Sequence, residues 1–135
     1  MPNSGVKYST EYLTTEKLTA ALLALPETIA TLVGHHSVVV QYGWSSYIHP
    51  DLTYTPMNCF GKRSLQELIQ YSIDRGITVP GESDFLFEVP EQRLEIVICH
   101  ESDIHLDGNE NELLERFMAL EPFTQYRWYS KDELE

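Results

Sequence analysis

Cysteine is scarce in this chain. Cys59 and Cys99 are the only two, too few to read a disulfide framework from spacing. Basic residues are scarce as well: nine lysines and arginines stand against 21 acids, a formal net charge of −12. That balance argues against nucleic acid or an anionic membrane as the partner, because either would repel it. No apolar run approaches the roughly 18 residues of a membrane-spanning helix. The opening stretch, MPNSGVKYSTEYLTTEK, lacks the apolar segment of a signal peptide. The expected compartment is therefore cytoplasmic, with both thiols reduced. Signature motifs are missing too. Gly61-Lys62-Arg63-Ser64 echoes the end of a phosphate-binding loop, but Pro56 stands where its first glycine belongs and Arg63 where its Ser or Thr belongs. With no GxSxG, GxGxxG or paired CxxC, no catalytic residue and no cofactor is expected.

What the chain does have is apolar surface and alternation. At 135 residues, 42% hydrophobic and 11% aromatic, it can bury the core of one domain spanning residues 1–135. From Arg93 to Asp107, Leu94, Ile96, Ile98, Ile104 and Leu106 fall on one phase, with His100 and Ser102 in step. Period two marks a strand with one buried and one wet face. On a single unbroken strand, Glu95, Glu101, Asp103, His105 and Asp107 would all project from the wet face. Fifteen residues exceed the usual strand length, so a bend or bulge is expected near His100 to Ser102.

The remaining elements follow from local signals. Thr14 is placed to cap a first helix, with Leu13 packing on Leu18. Leu18, Ala21, Leu22 and Leu25 then share a face, and Pro26 implies two short helices or one kinked helix running to Gly34. His35 and His36 read as a solvated pair ahead of a strand over Ser37–Trp44, whose consecutive valines suit a central position. Ser45–Arg63 reads as a long loop carrying Tyr47, Tyr54 and Phe60. A capping box, Ser64 and Glu67, opens a helix that Gly76 closes. Asp84–Val89 forms a hairpin with Leu94–Ile98. Asn109 caps the last helix, Pro122 stops it, Thr124–Ser130 is a final strand, and the polar tail frays. Ile96, Ile98, Leu68, Phe87 and Phe117 are the expected core. The expected architecture is α/β of the α+β type: a two-layer sandwich of three to four helices on a mostly antiparallel sheet of about four strands.

On a regular strand Asp103 and His105 share a face and His100 points away, no standard zinc spacing is matched, and no metal is expected. HExxH would need its second histidine where Ile104 stands. Cys59 lies near a helix N-terminus, which would lower its thiol pKa, and Cys99 reads as a small packing residue. In size, acidity and mixed α/β character the chain resembles the small acidic immunity proteins with which bacteria neutralise their own secreted toxins. That resemblance implies carboxylates and aromatics presented to a basic toxin domain, often a nuclease. The matching features are Glu95, Glu101, Asp103, His105 and Asp107, with Trp44, Tyr47 and Tyr54 as anchors. The expected partner is thus a basic protein, with neither nucleic acid nor membrane. The alternative is a small metal-dependent hydrolase using His100, Asp103 and His105; a homodimer through a sheet edge is a third reading.

Overall fold

The computed structural model describes residues 6–34 and 37–130; the His35–His36 pair and the polar tail lie outside the described residues. Within them the elements run β1 (Val6–Thr10), α1 (Thr15–Val33), β2 (Ser37–Tyr42), β3 (Met57–Phe60), α2 (Lys62–Asp74), β4 (Phe85–Val89), β5 (Leu94–Ile98), β6 (Ile104–Gly108), α3 (Asn111–Met118) and β7 (Trp128–Ser130). The strands form one sheet in the order β3-β2-β4-β5-β6-β1-β7. Every strand pair in it is antiparallel. The α+β class therefore stands, but the expected sheet of about four strands is wrong: there are seven.

Each added strand has a physical reason for escaping notice. The segment Arg93–Asp107 is two strands, since it folds back at His100–Ser102 and pairs Ile98 with Ile104 and Glu95 with Asp107. Ser102 N–H donates to Cys99 O at 3.2 Å and Ser102 itself has φ +67°, a three-residue turn ending in a left-handed position. Because the turn keeps the pairing in phase, alternation runs through it as though the strand had continued. β3 hides inside the loop Ser45–Arg63 as four residues, one of them buried. β1 is short and polar, and it is held by β6 and β7 on its two sides. The final strand is shorter than expected, Trp128–Ser130, because Phe123–Gln125 forms a turn of 3-10 helix.

The helices depart less. Thr14 caps α1, accepting from Lys17 N–H at 3.2 Å, and α1 runs unbroken through a buried Pro26 rather than as two helices. Helix α2 starts at Lys62 with Gly61 as its cap, so Ser64 is not the cap of a capping box. Helix α3 starts at Asn111 with Glu110 before it, not Asn109.

Burial alternates along the strands, so one face of the sheet meets the helices and the other stays open. Val38, Val40 and Tyr42 of β2, Phe85, Phe87 and Val89 of β4, and Leu94, Ile96 and Ile98 of β5 are buried with Leu18, Leu22 and Leu25 of α1, Leu65 and Ile69 of α2, and Phe117 of α3. Of the expected core, Leu68 is only partly buried. Val39, between two buried valines, lies half-buried on the open face, so the valine run is not enclosed on both sides.

One polar pair sits inside this core. Ser72 Oγ donates to Leu68 O at 2.6 Å, which leaves Tyr42 OH to donate to Ser72 Oγ at 2.5 Å. Ser72→Ala should strand the buried phenol and cost about 1–3 kcal/mol, while adding Tyr42→Phe should recover most of that loss. Urea unfolding of the two single variants and the double variant measures the coupling; equal costs for Ser72→Ala with and without Tyr42→Phe would disprove it.

Candidate functional site

The open end of the sheet is where β2, β5 and β1 finish and where β3, β4, β6 and β7 begin. Gly43 brings β2 against the start of β4: a Cβ there would lie 2.6 Å from Leu86 Cδ1 and 2.8 Å from Asp84 Cβ. Only a residue without that atom allows Gly43 N–H to reach Asp84 O at 2.8 Å. Asp84 is thereby fixed beside the β5–β6 turn. Its Oδ1 accepts from His100 N–H at 2.7 Å and lies 2.7 Å from His100 Nδ1. The indole of Trp44 packs on that imidazole with ring centroids 4.5 Å apart.

A second Asp–His pair lies across the turn. Cys99 N–H donates to Asp103 O at 2.9 Å, which sets the two residues opposite each other, and alternation puts His105 on the same face. His105 Nε2 lies 3.2 Å from Asp103 Oδ1, and its Nδ1 lies 3.4 Å from Ser9 Oγ on β1. Between the two pairs sits the Cys99 thiol. The donor atoms of Asp84, Cys99 and His100 lie within 4.8 Å of one another, as do those of Cys99, Asp103 and His105.

The Asp103 carboxylate, with help from Cys99, pushes the His105 pKa up to about 10 from 6.5, against the opposing effect of burial. His105 is therefore a cation at neutral pH, and Asp103 is a paired acid rather than a free one. Because the folded pKa lies above the unfolded value, this contribution to stability is complete below about pH 6.5 and disappears as the pH climbs through about 10. The imidazole is 45% exposed, so salt should weaken the effect. Histidine NMR titration in EDTA-containing buffer should place the His105 midpoint near 10, and Asp103→Asn should return it toward 6.5. A wild-type midpoint near 6.5 would mean that the pair does not form.

The open face carries acids in one cross-strand row. Glu88 opposes Glu95, Glu95 opposes Asp107, and Asp107 opposes Lys7. Lys7 Nζ reaches Asp107 Oδ2 at 3.6 Å. The Glu95 carboxyl is held above its ordinary range by burial, then by Asp107 and Glu88, with Lys7 opposing. The neighbouring row contains Leu86, Val97, His105 and Ser9.

The residues singled out by sequence fall into two groups. Trp44, Tyr47 and Tyr54, exposed by 57%, 62% and 50%, gather at the open end with the turn that holds Glu101 and, just past it, Asp103 and His105. The Trp44 N–H donates to Tyr54 OH at 3.1 Å and Tyr54 N–H donates to Tyr42 O at 2.7 Å, which ties the loop to β2. Glu95 and Asp107 share the open face with His105 but lie in the row beyond it. His100 does not join His105; it turns to Asp84. Cys59 is not an activated thiol, because burial pushes its pKa up despite a hydrogen bond from Ser64.

Sequence reasoning missed Asp84, Glu88, Tyr12 and the linking position of Cys99. The spacing Cys99-x3-Asp103-x-His105 would have revealed the last, had the turn been placed. Tyr12 is 84% exposed and follows β1, next to Leu13, whose N–H donates to Ser102 O at 2.7 Å. Its neighbours are set by pairing across the chain, so no local signal marked it. Among the described residues no helix is long and apolar enough to cross a membrane. Comparison with protein-family models, with curated proteins and with solved structures found no match to this chain.

Proposed function

We propose that this chain is a protein-binding module that acts as an immunity protein, neutralising a basic bacterial toxin domain by direct contact. The observation that carries this reading is the grouping of Trp44, Tyr47 and Tyr54 at the end of the sheet that borders the acidic open face. Large exposed rings held by backbone and ring contacts are anchors that need little ordering on binding. The acidic row supports the same reading from a different direction. Glu88, Glu95 and Asp107 stand side by side, with Lys7 the one cation among the described residues of the row, and like charges directly opposite cost stability. A cationic partner surface would convert that cost into attraction and speed encounter.

The test is to mix the purified chain with the product of the gene adjacent to its own and measure mass by size exclusion with light scattering. A stoichiometric complex that also suppresses the partner's toxicity supports the reading. No complex with that product, together with no binding to basic nuclease domains, would refute it.

A further inference from the structure

We infer that Cys99, Asp103 and His105 form a binding site for one zinc-class divalent ion. This does not depend on the proposed binding function. The donors are a thiol, an imidazole and a carboxylate, whose ligand atoms lie within 4.8 Å of one another. Sulfur with nitrogen selects zinc and its neighbours, whereas magnesium and calcium take oxygen ligands.

Four features of the turn fit this role. First, the backbone sets the spacing: the Cys99 N–H to Asp103 O bond at 2.9 Å closes the hairpin and places His105 on the same side. Second, Glu101 N–H donates to Cys99 Sγ at 3.5 Å, which fixes the sulfur in place at the turn. Third, His105 Nδ1 lies 3.4 Å from Ser9 Oγ, so a neighbour holds the ring by the nitrogen that does not face Asp103, as the outer partners of metal-bound histidines do. Fourth, the site is screened on one side and open on the other. Cys99 is 7% exposed, while the His105 side chain is 45% exposed.

Ligation replaces the His105–Asp103 hydrogen bond. The Cys99 thiol proton and the His105 proton pass to solvent, and the ion takes the freed sulfur and nitrogen lone pairs together with a carboxylate oxygen. Three protein donors leave one tetrahedral position for water on the exposed side. Asp84 and His100 approach the same sulfur from across the turn, with Cys99 Sγ 3.8 Å from His100 Nδ1. Asp84 is held more firmly than Asp103, since one of its oxygens holds both the backbone N–H and the ring of His100 at 2.7 Å, whereas Asp103 meets the His105 ring at 3.2 Å. The ion therefore belongs on the His105 side. Spacing alone names no ligand set, because from sequence the thiol reads as a small packing residue.

The experiment strips the full chain with EDTA and titrates it with Co2+ alone, followed by displacement with Zn2+. One Co2+ per chain should bind, with a near-ultraviolet sulfur-to-cobalt charge-transfer band that Zn2+ abolishes. Cys99→Ser should remove the band. His105→Ala and Asp103→Asn should each weaken binding at least about tenfold, and His100→Ala should leave it within about threefold of wild type. Circular dichroism identifies any variant that fails to fold, and the wild-type spectrum decides even then. The inference is overturned by a wild-type titration without the band, by a band that survives Cys99→Ser, or by binding that needs His100 and not His105.

Discussion

Truncating Ile98 to alanine should cost the fold about 2–5 kcal/mol, and Phe87→Ala about 3–5 kcal/mol. Ile98 is 1% exposed and Phe87 is fully buried. Ile98 stands at the end of β5 between Phe85 on one neighbouring strand and Ile104 on the other. Removing its methyl groups loses burial and also leaves a void, because three packed strands cannot close around it. Val97, the next residue, points to the open face and is only half-buried, so Val97→Ala should cost far less. Urea unfolding of the three variants tests the phase of the whole sheet. A loss below about 1 kcal/mol at Ile98, or a larger loss at Val97, would mean that the buried and open faces are reversed.

The second large effect is expected in binding. Trp44→Ala should cost roughly 2 kcal/mol or more, about a 30-fold rise in Kd, if the open end of the sheet meets a protein partner. The loss should appear mainly as faster dissociation, since the ring provides contact rather than long-range attraction. Association should instead respond to charge. Glu95→Lys and Glu101→Lys should slow it, and added salt should slow the wild type in the same way as the Debye length shrinks from about 10 Å at 0.1 M to about 3 Å at 1 M. These two acids suit charge reversal better than Asp103 or Asp107, which are tied to His105 and Lys7. Surface plasmon resonance across a salt series separates the two rate constants. If association ignores both salt and charge reversal, the acidic face is a solvated surface and no more.

What the sequence made legible was whatever is settled within a few residues. The Thr14 cap, the α2 and α3 stripes, and the β4–β5 hairpin all depend on neighbours in the chain. The phase of Leu94, Ile96, Ile98, Ile104 and Leu106 was readable for the same reason, and all five are buried. β1 and β3 were not readable, because strands of five and four residues gain their stability from pairing partners and carry almost no periodic signal of their own. The site divides along the same line. Trp44, Tyr47 and Tyr54 were visible as an aromatic-bearing loop, and Asp103 and His105 as close neighbours. Asp84 went unmarked because 16 positions separate it from His100, and it is the pairing of Phe85 with Ile98, together with the close approach at Gly43, that brings it there.

The position of β1 has a consequence for how the molecule comes into being. This first strand lies between β6 and β7, and the Arg127 N–H just ahead of β7 donates to Glu11 Oε2 across 116 positions of sequence. During synthesis β1 emerges ahead of the other described strands and waits, unpaired, until β6 and β7 have followed. The β4–β5–β6 meander needs only local closure and can form first, whereas the sheet's far side must pay a long loop closure before any pairing rewards it. Refolding should therefore be limited by docking of the N-terminal strand. Until that step the exposed edge of β6 is the segment most open to pairing with another chain.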